Sequence, residues 1–127
     1  MPEAKRYACQ VTVKVHFLAE HSNIAQNQFA FAYTVTITNT GNVAAQLISR
    51  HWIICDSNDD RREVKGLGVV GEQPMILPDM QYSYQSHAII NTPNGYMQGS
   101  YQMIAEDCTL FDAVIPPFTL SLPSALH

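Results

Sequence analysis

Three glycines in this chain have a spacing that could do chemistry. Gly66-Leu67-Gly68-Val69-Val70-Gly71 reads G-x-G-x-x-G, preceded closely by Arg61, Arg62 and Lys65. In a dinucleotide loop this spacing opens a helix whose first amides face a pyrophosphate. Without the helix, the same glycines can still form a nest of backbone N–H groups for a phosphate, with the three cations beside it. The residues that follow, Glu72-Gln73-Pro74-Met75-Ile76-Leu77-Pro78, hold two prolines four apart. No uninterrupted helix tolerates both. The segment is therefore read as extended and turn-rich, with glycines where strands bulge or backbones approach closely. On that reading Gly68→Val damages folding at least as much as function.

Other reactive side chains are scattered. The histidines are His16, His21, His51, His87 and His127, and the cysteines Cys9, Cys55 and Cys108. No C-x-x-C, H-E-x-x-H or H-x-H spacing occurs, so no metal site is assigned. His51 and Cys55 share a face of an unbroken strand, but no third ligand is identifiable. Asp56, Asp59 and Asp60 lack the calcium-loop pattern and read as a solvated turn. Arg50 and Trp52 share a strand face. Either they form an interaction anchor, or Trp52 is a core residue that Arg50 covers; Glu72 is a further candidate interaction residue. Nucleophilic catalysis finds no support. There is no G-x-S-x-G, and Ser86 and His87 are strand neighbours whose side chains point to opposite faces. The expectation is a chain that is not an enzyme and carries no cofactor.

The elements that must position these residues are strands. The 127 residues suit one domain over 1–127, with 46% hydrophobic and 14% charged content and a net charge of −4. No basic run exceeds Arg61-Arg62, which argues against nucleic acid and against an anionic membrane. No apolar stretch approaches the ~20 residues of a membrane span. Met1-Pro2-Glu3-Ala4-Lys5-Arg6 has no apolar signal core, so a cytoplasmic location is expected, with the three cysteines as free thiols.

Alternation marks Val11, Val13, Val15 and Phe17, and most clearly Phe29, Phe31, Tyr33, Val35 and Ile37 against Ala30, Ala32, Thr34, Thr36 and Thr38. Asn39-Thr40-Gly41-Asn42 reads as a hairpin turn into a strand from Val43 to Cys55. There Leu47, Ser49, His51 and Ile53 oppose Ile48, Arg50, Trp52 and Ile54. Arg62, Val64 and the extended glycine segment follow a second polar turn, Asp56 to Asp60, and further strands are expected at Gln81–Ile90, Tyr96–Ala105 and Thr109–Leu122. Pro74 to Asp79 connects sheets or follows an edge. Pro116-Pro117 places the last strand at an edge or bulge. Leu18 to Gln28 is a loop or a short helical turn. At least seven strands, with turns every 8–15 residues, predict an all-β, immunoglobulin or fibronectin III-like antiparallel sandwich.

Several blocks together resemble the ApaG family. They are Phe31-Ala32-Tyr33-Thr34-Val35-Thr36-Ile37, Leu47 to Ile54 with its Ser49-Arg50-His51-Trp52 core, Glu63 to Pro74, Gly95 to Met103, and Ile115 to Leu120. The resemblance runs from about Val11 to Pro123. It implies a fibronectin III-like sandwich without established catalysis, and a genetic link to cobalt and magnesium tolerance. It also implies operon proximity to a dinucleoside tetraphosphatase, and recurrence in F-box proteins and in a polymerase-delta-interacting protein. The chain departs from the family where glycine is usual: at Asp79, near His87, near Cys108, and at Asn58-Asp59 in place of Asn-Gly. These departures put turn geometry in question.

The function expected is a non-catalytic binding module for a protein partner, engaged by loops or by an exposed strand edge. The alternative is an anion or nucleotide sensor built on Gly66, Gly68, Gly71, Arg61, Arg62 and Lys65, binding a phosphate-containing small molecule. Direct handling of cobalt or magnesium is a third reading, carried mainly by the resemblance.

Overall fold

The structure, a computed structural model, describes residues 3–123, so His127 lies outside the described residues. Eight strands follow one another along the chain: β1 Cys9–Phe17, β2 Phe29–Asn39, β3 Ala45–Asp56, β4 Arg61–Leu67, β5 Met75–Ile76, β6 Gln81–Ile90, β7 Asn94–Ala105 and β8 Leu110–Ser121. They form two antiparallel sheets. One runs β1-β2-β6; the other runs β4-β3-β7-β8, with the short β5 also on β3. β5 pairs Ala45 and Gln46 while β4 pairs Ser49 to Cys55. Because β7 holds the opposite side of β3 along this length, β4 and β5 are two pieces of one interrupted edge.

The period-two pattern of β2 is what buries it. Phe29, Phe31, Tyr33, Val35 and Ile37 all enter the core, where they meet Leu47, Trp52 and Ile54 of β3 and Tyr101 and Met103 of β7. Trp52 is the hub. Its ring meets Tyr33 at 5.4 Å, Phe118 at 5.9 Å and Tyr101 at 6.2 Å, all edge-on, an arrangement that ring quadrupoles favour. β6 alternates as expected, with Tyr84, Ala88 and Ile90 buried. Pro116 and Pro117 sit where the β7–β8 register shifts, between the pairs Met97↔Phe118 and Gly99↔Ile115, and β8 is an edge strand. A residue without an N–H is tolerated at both kinds of position.

Three expectations need correction. The turn after Asn39 is not a hairpin: β2 lies in one sheet and β3 in the other, so the turn carries the chain across the sandwich. Alternation marks faces and does not say which sheet a strand joins. Secondly, Leu47 does not oppose Trp52 and Ile54 but is buried with them. The register of β3 against β7 shifts between Leu47 and Ser49. Ile48 is the extra residue of a bulge, and it inverts the parity of everything after it. Thirdly, His87 is no turn residue; it lies within β6, paired with Ala32. The other departures from glycine fall on left-handed backbone, with φ of +64° at Asp59, +67° at Asp79 and +72° at Cys108. Between β1 and β2, Ala19–His21 and Ile24–Gln26 form two single 3-10 turns.

Candidate functional site

The glycine run forms the break between β4 and β5. Gly66 is still in β4, opposite Arg50. Gly68 has φ +62° and donates its N–H to the Ile48 carbonyl at 2.8 Å. Val69 and Glu72 then exchange both backbone hydrogen bonds, at 2.8 and 2.9 Å, around Val70 (φ +43°) and Gly71 (φ +81°). Positive φ at both central residues is the type I′ hairpin geometry. The Gln73 side chain donates to Ile48 O at 2.9 Å, and the chain rejoins β3 where Leu47 N–H meets Pro74 O at 3.0 Å. Glu72 to Leu77 is not helical. The run folds as a miniature hairpin thrown out of a sheet edge at the Ile48 bulge.

Arg50 fixes this hairpin from beneath. Its Nη1 donates to the carbonyls of Leu67 (3.1 Å) and Gly68 (2.8 Å). The guanidinium lies on Gly66, where a Cβ would come within 2.8 Å of it. At Gly68 a Cβ would meet the Glu72 carbonyl oxygen at 2.3 Å, and the left-handed backbone adds its own penalty. Further in, the hydroxyls of Tyr84 and Tyr101 hydrogen-bond to each other, and Tyr33 lies opposite Ser86 in the β2–β6 ladder. Burial pushes all three phenols up in pKa, and the charge of Arg50 partly offsets that. Trp52, only 3% exposed, is a core residue. The Arg50–Trp52 pair is thus placed with the indole in the core and the guanidinium under the loop.

The remaining candidate residues lie along the same edge. Arg61 bonds Glu63 at 3.1 Å, and Arg62 donates to the Ile89 carbonyl of β6 at 2.6 Å, bridging the two sheets. The Glu72 carboxylate accepts from the Tyr82 hydroxyl at 3.0 Å. Lys65 pairs with His51 in the ladder; with Ser49 and Gln102 these residues line an open hollow of about 450 Å³. His51 Nε2 and Glu63 Oε2 are 3.1 Å apart, and this hydrogen bond lowers the pKa of Glu63. Cys55 is buried beside Tyr96, whose phenol it pushes up. Among the described residues, no three His, Cys, Asp or Glu side chains gather as a metal site would require. Nor is any described helix long and apolar enough to cross a membrane. Asp56 Oδ1 accepts the Asn58 and Asp60 amides at 2.9 and 3.0 Å, so this carboxylate closes its own turn.

The sequence reading missed an apolar trail on this edge. Val64, Leu67, Val70, Met75, Leu77 and Met80 are all exposed, Leu67 at 76% and Val70 at 60%. Their crowding within 17 residues of a polar-turn segment was the available signal.

Comparison with known proteins agrees with the architecture. The ApaG domain matches residues 19–105. The chain is 55% identical to Protein ApaG of Thiobacillus denitrificans and 53% identical to Protein ApaG of Nitrosospira multiformis. Each match covers 127 residues and all of both chains. The crystal structure of the putative ApaA protein of Bordetella pertussis superposes with a TM-score of 0.91 at 44% identity, covering 95% of this chain and 98% of that one. With a family match over most of its length and relatives above half identity from end to end, this chain belongs to the ApaG family.

Proposed function

We propose that this protein is a non-catalytic binding module that captures an extended polypeptide along the β4–β5 edge. The observation that carries this reading is the edge itself. β4 has no strand on its outer side among the described residues, and exposed Val64, Leu67, Val70 and Met75 follow it. An unpaired strand offers a row of backbone donors and acceptors, and apolar side chains beside it add affinity. The anion reading draws less support. It needs convergent free amides, whereas the Gly68 amide donates to the Ile48 carbonyl of β3, Val69 and Glu72 bond each other, and Arg50 is engaged by the Leu67 and Gly68 carbonyls. Cobalt and magnesium tolerance would then be an indirect consequence of the partner's work.

The test is a photo-crosslinking side chain at Leu67, used in native lysate on the chain and on its Lys65→Pro variant. A reproducible partner whose capture is lost in the variant is the expected result. Absence of any such partner, or capture indifferent to the proline, overturns the reading.

A further inference from the structure

We propose that the partner which fits the β4 edge is a second copy of this chain, paired antiparallel about a twofold axis through Val64. The inference rests on the edge-binding reading above and narrows its occupant.

The direction of the β4 backbone groups is fixed at both ends. Asp56 N–H donates to Asp60 O and Gly68 N–H donates to Ile48 O, both in the register of the β3–β4 ladder. Hydrogen-bonded and non-hydrogen-bonded pairs alternate along such a ladder. Arg62, Val64 and Gly66 therefore turn their N–H and C=O groups toward β3. Arg61, Glu63, Lys65 and Leu67 turn theirs outward, away from the sheet. The Leu67 carbonyl also accepts from Arg50, which leaves its second lone pair free.

A second β4 can add to this row only in registers that set outward groups against outward groups. Centring the twofold on Glu63 sets Glu63 against Glu63. Centring it on Lys65 sets Lys65 against Lys65. Centring on Arg62 or Gly66 runs one end of the pair into a turn and shortens it. Centring on Val64 pairs the whole strand: Glu63 faces the second copy's Lys65, Lys65 faces its Glu63, and Arg61 and Leu67 face each other as the outer pairs. Residues opposite each other in a ladder project to the same face, and unlike charges there attract. The isologous geometry repeats each contact twice. Val64 meets its own copy at the close, non-hydrogen-bonded position, covering a side chain now exposed.

Sedimentation equilibrium of the full chain, with two charge variants, tests this. The wild type is expected to show a monomer–dimer equilibrium. Glu63→Lys sets lysine against lysine, and Lys65→Glu sets glutamate against glutamate, so each alone should associate about tenfold more weakly. Mixed together, the two variants restore both unlike pairs, and a heterodimer of near wild-type affinity should form. Circular dichroism and thermal melts check that each variant is folded; both sites are surface positions on an edge. A wild type that stays a single chain up to about 1 mM overturns the inference. So do variants that leave association unchanged, or a mixture that stays monomeric. If the wild type is monomeric yet Leu67 crosslinks to a different protein in a Lys65→Pro-sensitive way, the second copy is excluded and the binding module stands. If neither occurs, both fall.

Discussion

The two flanks of the sandwich are closed by different means. On one side β1 lies beside β8, and the chain before β1 straps the end of the structure. Asp107 accepts from Lys5 at 3.0 Å and Tyr7 at 2.6 Å, and the Tyr7 ring packs 6.0 Å from Phe111. Asn42 accepts the Arg6 amide at 2.6 Å and donates to Ala4 O at 2.9 Å. On the other side, single long side chains span the gap to β6: Arg62 of β4 reaches the Ile89 carbonyl, and Tyr82 of β6 reaches Glu72 in the hairpin after β4. A cleft of about 380 Å³ lined by Asp60, Arg61, Arg62 and Ile89 remains there. One flank is sealed by several convergent contacts; the other is propped and keeps its backbone groups available.

The sharpest challenge to this contrast is Gly68→Val. It should destabilise the propped flank by about 3 kcal/mol or more, since a β-branched side chain would be forced onto left-handed backbone against the Glu72 carbonyl. Urea unfolding measures it. A variant that unfolds like wild type would mean that the loop is free of the sheet, and that the glycine serves recognition alone.

A smaller effect separates the strapped flank. Tyr7, then Lys5 and Thr109, hydrogen-bond the ionised Asp107 carboxyl and hold it far below its ordinary 3.8. A depressed folded-state pKa gives stability that is whole above the unfolded value and lost as pH falls toward the folded one. Asp107→Asn should therefore melt below wild type by a constant margin at neutral pH, and the margin should close as pH drops below about 4. A margin unchanged in acid would show that shape, and not charge, ties the strap.

The smallest effect has the opposite sign. Val70 holds φ +43° at the tip of the hairpin, where a β-branched residue is rare. Val70→Gly should raise stability by about 0.5–1 kcal/mol in thermal melts. No gain would mean that the valine makes a contact worth its strain.

Much of the framework was legible in the residues. The alternation in β2 named its buried face, Pro116-Pro117 marked a bulge on an edge strand, and Pro74 with Pro78 ruled out a helix after the glycines. The family's missing glycines pointed to Asp59, Asp79 and Cys108, all on left-handed backbone. What escaped depends on contacts distant in sequence. Nothing around Leu47 to Ser49 announces a bulge, because the shift is defined only against β7. The partners of Arg50 lie 17 and 18 residues away, across a ladder whose register must be known first. The Asn39 turn has hairpin composition, yet its amides bond to the segment before β1: Thr40 and Gly41 donate to Ala8 O, and Asn42 to Arg6 O.

The paired prolines of β8 have a consequence for how far assembly can go. Growth into a fibre needs two receptive rims on every subunit, one to add to and one to add with. In the larger sheet the rim opposite β4 carries Pro116 and Pro117, which cannot donate and which kink the strand away from a straight template. Within the larger sheet, one open rim and one capped rim would let a subunit add once and then stop, so growth along that sheet would end at a closed pair.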